Sequence, residues 1–490
     1  MKNKIWFFVF AVSFAAVNAR AREAAFAGKF YPADRAELTA FVDKALADAW
    51  PVKPAGKALA VLAPHAGYPY SGRAAAYAYK VVDDNYDLVV VLATGHTTQV
   101  KGAALLASGF YETPLGRVPV DEKLSRELIA ANPLFTDDAG AHLNEHAVEV
   151  QLPFLQRRLK KPFKLVAAVM NSENLPDLLK IGRVLALKLK GRKALIVISS
   201  DMSHYPAHET ARAVDLTQAL ALQTMSPEYF RLTERVLMSK GAAGLDTCAC
   251  GSAAIAAGLE AAKQLGAGEF INLKYADSYD EAPEISEKGR VVGYLSGVFV
   301  ASKANPYKIK FDSGHKDLLI KTARAVIAGW LAGSKPSAEL EKTDYALNLP
   351  AAVFVTLTKN GALRGCIGTV EPQMGLLDAV KYAAISAAFS DHRFEPLTKE
   401  ELPAVKIEIS ALSRLERTAS AENITPHRHG VVVRSGGHSG LFLPQVWEQI
   451  AQKEEFLSEL CSQKAGLPRN CWKDPKTELY TFTVEAFSEK

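Results

Sequence analysis

One pattern constrains this chain more than any other. Three times, an unbroken apolar run ends in a loop that carries histidine. Ala58 to Ala63 leads into Pro64-His65-Ala66-Gly67-Tyr68. Leu88 to Leu92 leads into Gly95-His96-Thr97-Thr98, and Ala194 to Ile198 leads into Ser199-Ser200-Asp201-Met202-Ser203-His204. Strands buried on both faces read as continuous apolar runs rather than alternating ones. In open α/β sheets, ligands bind beyond the carboxyl ends of such strands. The pattern therefore predicts one sheet with imidazole and carboxylate groups delivered to one edge, and metal binding is its most economical reading.

The rest of the first part fits that architecture. Helices are expected at Ala36–Ala49, Ala74–Val82, Lys123–Ala131, Glu149–Leu159 and Leu175–Leu189, and in the alanine-rich run Ala253 to Leu265. Further strands are expected at Phe163–Met170, Ile271–Ala276 and Val291–Val300. Alternating strands and helices argue for an α/β domain. The run Ser302-Lys303-Ala304-Asn305-Pro306 reads as a linker. Beyond it the grammar changes. A helix is expected at Asp317–Ala332, and Ala352–Thr358 and Leu363–Gly368 flank Asn360-Gly361, a favoured hairpin turn. Strands are expected at Val405–Leu412, Val431–Arg434, Leu441–Leu443 and Glu478–Val484. Hairpins mixed with helices suggest an α+β domain.

The chain begins with Lys2 and Lys4, an apolar run from Ile5 to Val17, and small residues at Ala19 and Ala21. That is the layout of a secretory signal peptide, shorter than a comfortable membrane span. Export, to the periplasm, is the expectation, with no stable membrane span after cleavage. The expected division is 1–21 signal peptide, 22–303 first domain and 307–490 second domain. With 490 residues and 49% hydrophobic composition, the core needs no staple. A net charge of +5 and the lack of a basic stripe argue against nucleic-acid binding. Five cysteines leave at least one unpaired; Cys461 and Cys471 could bridge in an oxidising compartment.

The chemistry concentrates in a few residues. His65 and His96 share the strand-end context and are candidate metal ligands; the plainer alternative is that both tie down loops. Cys250 precedes the alanine-rich run, where a helix N-terminus favours thiolate. Two nitrogens and a sulfur suit iron(II), copper or zinc, with sulfur tilting toward copper(I) or zinc. Cys248 reads as a small buried residue. Asp201 and His204 are candidate acid/base groups, with an N-cap as the alternative for Asp201. His146 is a candidate proton shuttle, with Glu149 expected near the same face. No G-x-x-x-x-G-K-[ST], H-E-x-x-H or C-x-x-C occurs, so nucleotide hydrolysis and zincin chemistry lose support.

Several motifs occur in the order of the Memo family: Arg22-Glu23-Ala24 with Ala27-Gly28 and Tyr31, Ala63-Pro64-His65-Ala66-Gly67-Tyr68, Gly95-His96, Glu145-His146-Ala147-Val148-Glu149-Val150-Gln151-Leu152-Pro153, Ser199-Ser200-Asp201 with His204, and Cys250-Gly251. The first part resembles that family. The second resembles the AMMECR family through Leu363-Arg364-Gly365-Cys366-Ile367-Gly368, Phe389 to Leu397, Ile407-Glu408-Ile409-Ser410 and Gly440-Leu441-Phe442-Leu443-Pro444. The chain looks like two members of the AmmeMemoRadiSam grouping fused, which implies a functional link to a radical SAM protein. The resemblance implies a LigB-like α/β fold, similar to class III extradiol dioxygenases, followed by an α+β AMMECR-like domain. It also implies a metal on His65, His96 and Cys250, with Asp201 and His204 close by. A thiolate where those dioxygenases use a carboxylate turns the expectation from ring cleavage toward metal-dependent redox or oxygen chemistry on an unidentified small molecule, with Fe(II) or Cu(I) as cofactor and zinc as an alternative. Non-catalytic metal handling, or a scaffold with a vestigial site, are the rival expectations. In the second domain, Arg364 and Cys366 could form a small polar site; the alternative is that Gly365 and Gly368 serve turns while Cys366 packs in the core.

Overall fold

The computed structural model describes residues 21–303, 307–337 and 339–489. Residues 1–20, which hold most of the expected signal peptide, and Ala304 to Pro306 of the expected linker lie outside the described residues.

The first half is built on one eight-stranded sheet. Its strands are β1 (Ala58–Ala63), β2 (Leu88–Thr94), β3 (Ala103–Leu105), β4 (Phe135–Asp137), β5 (Lys164–Met170), β6 (Ala194–Ser199), β7 (Ala267–Asp277) and β8 (Gly293–Ala301). Their order is β7-β8-β1-β6-β2-β5-β3-β4. The central four, β1-β6-β2-β5, are parallel. The neighbours β8 and β3 join them antiparallel. Side chains alternate across the sheet. Leu62, Val90, Leu92, Ile196 and Ile198 enter one core, while Val61, Val89, Val91, Leu195 and Val197 enter the other. Each such fully buried side chain contributes about 1.5–3 kcal/mol. Both faces are covered, which is why the runs carry no polar alternation.

The covering helices include α1 (Arg35–Asp48), α2 (Tyr68–Lys80), α3 (Leu175–Leu189), α4 (His208–Gln223), α5 (Pro227–Ser239) and α6 (Ser252–Gln264). Two sequence expectations change here. Helix α2 starts at Tyr68 rather than Ala74, because Pro69 sits in its first turn, where a missing N–H costs nothing. The expected helix over 149–159 opens as a 3-10 turn, Glu149–Gln151, before Leu152–Arg158. Helix α4, for which the sequence offers no expectation, carries no clean apolar stripe. Asp215, Thr217 and Gln218 of α4 are buried alongside its alanines, which hid it from a periodicity reading.

The second half holds two further sheets. Helices α7 (Ser313–Leu331) and α8 (Leu376–Phe389) accompany β9 (Pro350–Lys359), β10 (Ala362–Gly368) and β11 (Val405–Leu412). Strands β12 (Gly430–Ser435), β13 (His438–Phe442), β14 (Glu478–Phe482) and β15 (Val484–Ser488) follow. One sheet runs β10-β9-β11-β15, and the other runs Glu416–Thr418, β14, β12, β13. The single strand expected over Glu478–Val484 is therefore two strands in different sheets, divided at Thr483. Cys461 and Cys471 form a disulfide within the apolar cluster around Trp447 and Phe456.

The halves touch through α4 and α5. Tyr229 Oη donates to the Pro350 carbonyl at 2.7 Å, and Lys240 pairs with Asp378. Leu340 packs on Val214, Leu237 and Cys248, and Leu349 joins the apolar core of the first half. Among the described residues, no helix is long and apolar enough to cross a membrane.

Candidate metal centre

Strands β1, β6 and β2 are adjacent, so the loops leaving their carboxyl ends converge. His65 follows β1, His96 follows β2, and Asp201 and His204 follow β6. Cys250 arrives from elsewhere, on the turn before α6. That turn lies against the end of β6, where a Cβ on Gly251 would stand 2.6 Å from the Ser200 Cβ and 2.7 Å from the Ser199 carbonyl oxygen. Glycine is the side chain that permits this approach. The His204 loop is stitched to the same turn: His204 N–H donates to the Thr247 carbonyl, and Asp246 N–H to the His204 carbonyl, both at 3.1 Å.

One nitrogen or sulfur atom from each of His65, His96 and Cys250 lies within 4.8 Å of the other two. Cys250 Sγ is 3.1 Å from His65 Nε2. Each imidazole is oriented through its other nitrogen. His65 Nδ1 contacts Ser199 Oγ at 2.9 Å, and His96 Nδ1 contacts Glu145 Oε1 at 3.0 Å. Such partners fix a ligating ring and leave Nε2 free for a cation. Glu145 also accepts from the His96 and Ala147 N–H groups at 2.7 and 2.9 Å. Burial opposes its ionisation, but the His96 ring and these amides outweigh it and hold its carboxyl below the usual range.

Two more triads overlap the first: His96, Glu145 and His146, and Asp201, His204 and Cys250. His146 stacks on His96 with ring centroids 4.5 Å apart. Burial, then the neighbouring His96, lowers the His146 pKa to about 4. His204 is likewise pushed to about 4, chiefly by burial, and its Nε2 is buried without a hydrogen-bond partner. Burial and the surrounding imidazoles push His65 well below its ordinary value. These rings are neutral lone-pair donors at neutral pH. Asp201 accepts from the His65 N–H at 2.7 Å and the Ala66 N–H at 3.3 Å, so it braces the β1 loop and does not cap a helix. Burial raises its pKa to about 6.

Cys250 corrects one expectation. It does sit just before a helix start, but burial dominates the helix field and, with Asp201 nearby, pushes the thiol up. A bound cation is what would displace that proton, since only the thiolate ligates. The donor set fits such an ion: two oriented imidazoles and one buried sulfur, with the unpartnered buried Nε2 of His204 beside them.

The structure thus brings together His65, His96, His146, Asp201, His204 and Cys250. It does not bring Glu149, which pairs with Arg22 at 2.9 Å and accepts from Ala25, Phe26 and Tyr31. Cys248 is buried, as expected. The sequence reading assigned no role to Ser199 and Glu145. Their signals were position alone: the last residue of a buried strand, and the neighbour of His146. A separate cluster, His208, Asp277 and Asp280, is accounted for by the Asp277 capping box of a short helix, Ser278–Glu281.

In the second half, Arg364 forms a two-pronged pair with Glu401, at 3.2 and 2.9 Å. Cys366 is half-buried on β10 and not part of the core, and its sulfur lies 3.3 Å from Thr356 Oγ1. Its N–H donates to Asp391 and its carbonyl accepts from Arg393, so these two side chains cap the free edge of the sheet. Gly365 and Gly368 lie within β10 and serve no turn.

A family model described as Memo-like protein matches residues 22–298, and the AMMECR1 model matches 320–487. A MEMO1 family protein from Aquifex aeolicus (strain VF5) is 38% identical over 283 residues, 57% of this chain and 100% of the relative. Protein NEQ441 from Nanoarchaeum equitans (strain Kin4-M) is 41% identical over 179 residues, 35% of this chain and 98% of the relative. The crystal structure of an uncharacterized protein, PH0010, from Pyrococcus horikoshii is 36% identical and covers 37% of this chain and 95% of its own, with a TM-score of 0.35. The chain belongs to the Memo-like family and carries an AMMECR1 domain behind its Memo domain.

Proposed function

We propose that this protein is exported and holds one metal ion on His65, His96 and Cys250, using it for redox or oxygen chemistry on a small molecule. The observation that carries the reading is the company these ligands keep. Asp201, His146 and His204 stand against the donor atoms, and a storage site needs no proton carriers. The finer LigB-like reading of the fold is supported by a parallel sheet whose ligand groups leave adjacent carboxyl ends. The division at 22–303 and 307–490 and a link to a radical SAM protein belong to the same proposal.

Iron(II) or copper(I), when bound, supplies electrons to dioxygen or to an oxygen-bearing substrate; zinc would supply only Lewis acidity. The chain's own residues do the rest. Ser199 and Glu145 hold the two imidazoles in register. His204 Nε2, neutral and unpartnered, accepts a proton from substrate. Asp201, with its pKa near 6, exchanges protons close to neutrality. His146 carries protons outward past Phe26 and Phe30, whose rings lie 5.5 and 4.4 Å from its own.

Elemental analysis of anaerobically purified protein tests the site. About one iron or copper per chain, absent from Cys250→Ala and His65→Ala, is expected. Oxygen uptake with phenolic, thiol and ascorbate substrates then tests the chemistry. Stoichiometric metal without uptake would make this a metal-handling protein. Metal-free wild type after reconstitution would sink the site.

A further inference from the structure

We propose that Arg22 is a positioning residue for this centre: it fixes the His142–Ala147 loop so that Glu145 presents His96 toward His65 and Cys250. Its consequence for metal binding rests on the reading above; its geometry does not.

Arg22 is buried, at the start of the described chain, in a short strand that pairs in parallel with Phe110 and Tyr111. Its guanidinium works in three directions. Nε donates to the His142 carbonyl, Nη2 donates to the Glu145 carbonyl at 2.8 Å, and Nη1 pairs with Glu149 Oε2 at 2.9 Å. Two of those contacts fall on the main chain of the loop that carries Glu145 and His146. Glu145 then passes the constraint on, through its bonds to the His96 N–H, the His96 ring and the Ala147 N–H. Arg22 therefore acts on His96 at one remove: guanidinium to Glu145 main chain, Glu145 carboxylate to imidazole.

Glu149 closes the arrangement from the other side. It accepts from the Ala25 and Phe26 N–H groups at 3.2 and 2.9 Å and from Tyr31 Oη at 2.5 Å. The ion pair thus clamps the segment Arg22–Tyr31 against the loop, and that segment brings Phe26 and Phe30 onto His146. A planar, five-donor fork suits this task, and a lysine ammonium cannot reproduce its geometry.

The test uses the full chain. The double variant Arg22→Met/Glu149→Gln removes the fork and both charges, yet keeps an acceptor for the segment's N–H groups. Arg22→Lys keeps the charge and loses the fork. Amide hydrogen exchange is read at His96 and Ala147, with amides of β2 as internal control, and cobalt(II) titration reports the sulfur-to-cobalt absorption band. At least tenfold faster exchange at His96 and Ala147, unchanged β2 amides and at least tenfold weaker cobalt binding with a diminished band are expected. Exchange and cobalt binding within twofold of wild type would overturn the proposal. So would loss of β2 protection in both variants, which would make Arg22 a general fold residue. If wild type takes up no cobalt at the centre while the exchange result holds, the metal reading falls and the role of Arg22 in placing His96 stands.

Discussion

Residues around this centre were legible in proportion to how directly their position follows from a strand end. His65, His96, Asp201 and His204 were readable because a buried run announces where its loop begins. Glu149 was misplaced because helical spacing says nothing about a distant segment folding back, and Arg22 supplies the charge that claims it. Asp215 went unremarked altogether. It lies in α4, fully buried, and accepts from the Ser203 N–H and hydroxyl and from Tyr275 Oη. It thereby anchors the loop between Asp201 and His204. Burial is the largest cause of its pKa, pushed up to about 8 against the lowering effect of those donors. The unfolded chain loses this proton near pH 4, whereas the folded chain keeps it to about pH 8. Stability from this group is therefore complete at low pH and falls as pH rises through that window, by up to about 1.4 kcal/mol per unit. In Asp215→Asn this component of the pH dependence should vanish, as read from urea midpoints at pH 5 and pH 7. Parallel pH trends in variant and wild type would contradict the assignment.

At the scale of elements, buried strands and capped helices were readable, and close approaches were not. Helices α3 and α6 pack tightly at Gly182, where an added Cβ would stand 2.5 Å from the Ala257 carbonyl oxygen. Gly182→Ala should therefore cost about 1–3 kcal/mol, the usual price of overpacking. Chemical denaturation measures it, and a neutral result would mean that the helices can part without loss. Helix α6 begins two residues after Cys250, so the same variant should also loosen cobalt binding. The disulfide offers a second test. Cys461 and Cys471 close a loop of ten residues in sequence separation, a constraint worth about 3 kcal/mol in the chain-entropy view. Replacing both with serine should lower the unfolding midpoint of the sheet containing β12, β13 and β14, while hydrogen exchange in β1, β2 and β6 stays unchanged. The strand switch at Thr483 escaped the sequence for a different reason. An alternating run reads the same whether one sheet holds all of it or two sheets share it.

Taken whole, the molecule joins its halves through a polar and apolar contact that no local pattern could forecast, because its partners lie more than ninety residues apart. Lys240 and Asp378 are largely buried, and Lys240 also donates to the Glu339 carbonyl at 3.2 Å. Replacing Ala304-Asn305-Pro306 with a protease site and cutting the purified chain should leave the two pieces eluting together. Lys240→Met should weaken that association by about 1–3 kcal/mol, since Asp378 then loses its closest cation. Pieces that part at once in the uncut sequence's own buffer would show that the contact has no strength of its own. The Aquifex and Nanoarchaeum relatives each match only one half of this chain. For such separate proteins, any comparable contact would compete with dilution and would need an affinity matched to their cellular abundance. Here three residues separate Lys303 from Tyr307. A tether that short sets an effective concentration in about the millimolar range. A grip of submillimolar affinity then stays largely closed, the ratio of the two domains is held at one to one, and a competitor in solution must exceed that local concentration to take either domain's place.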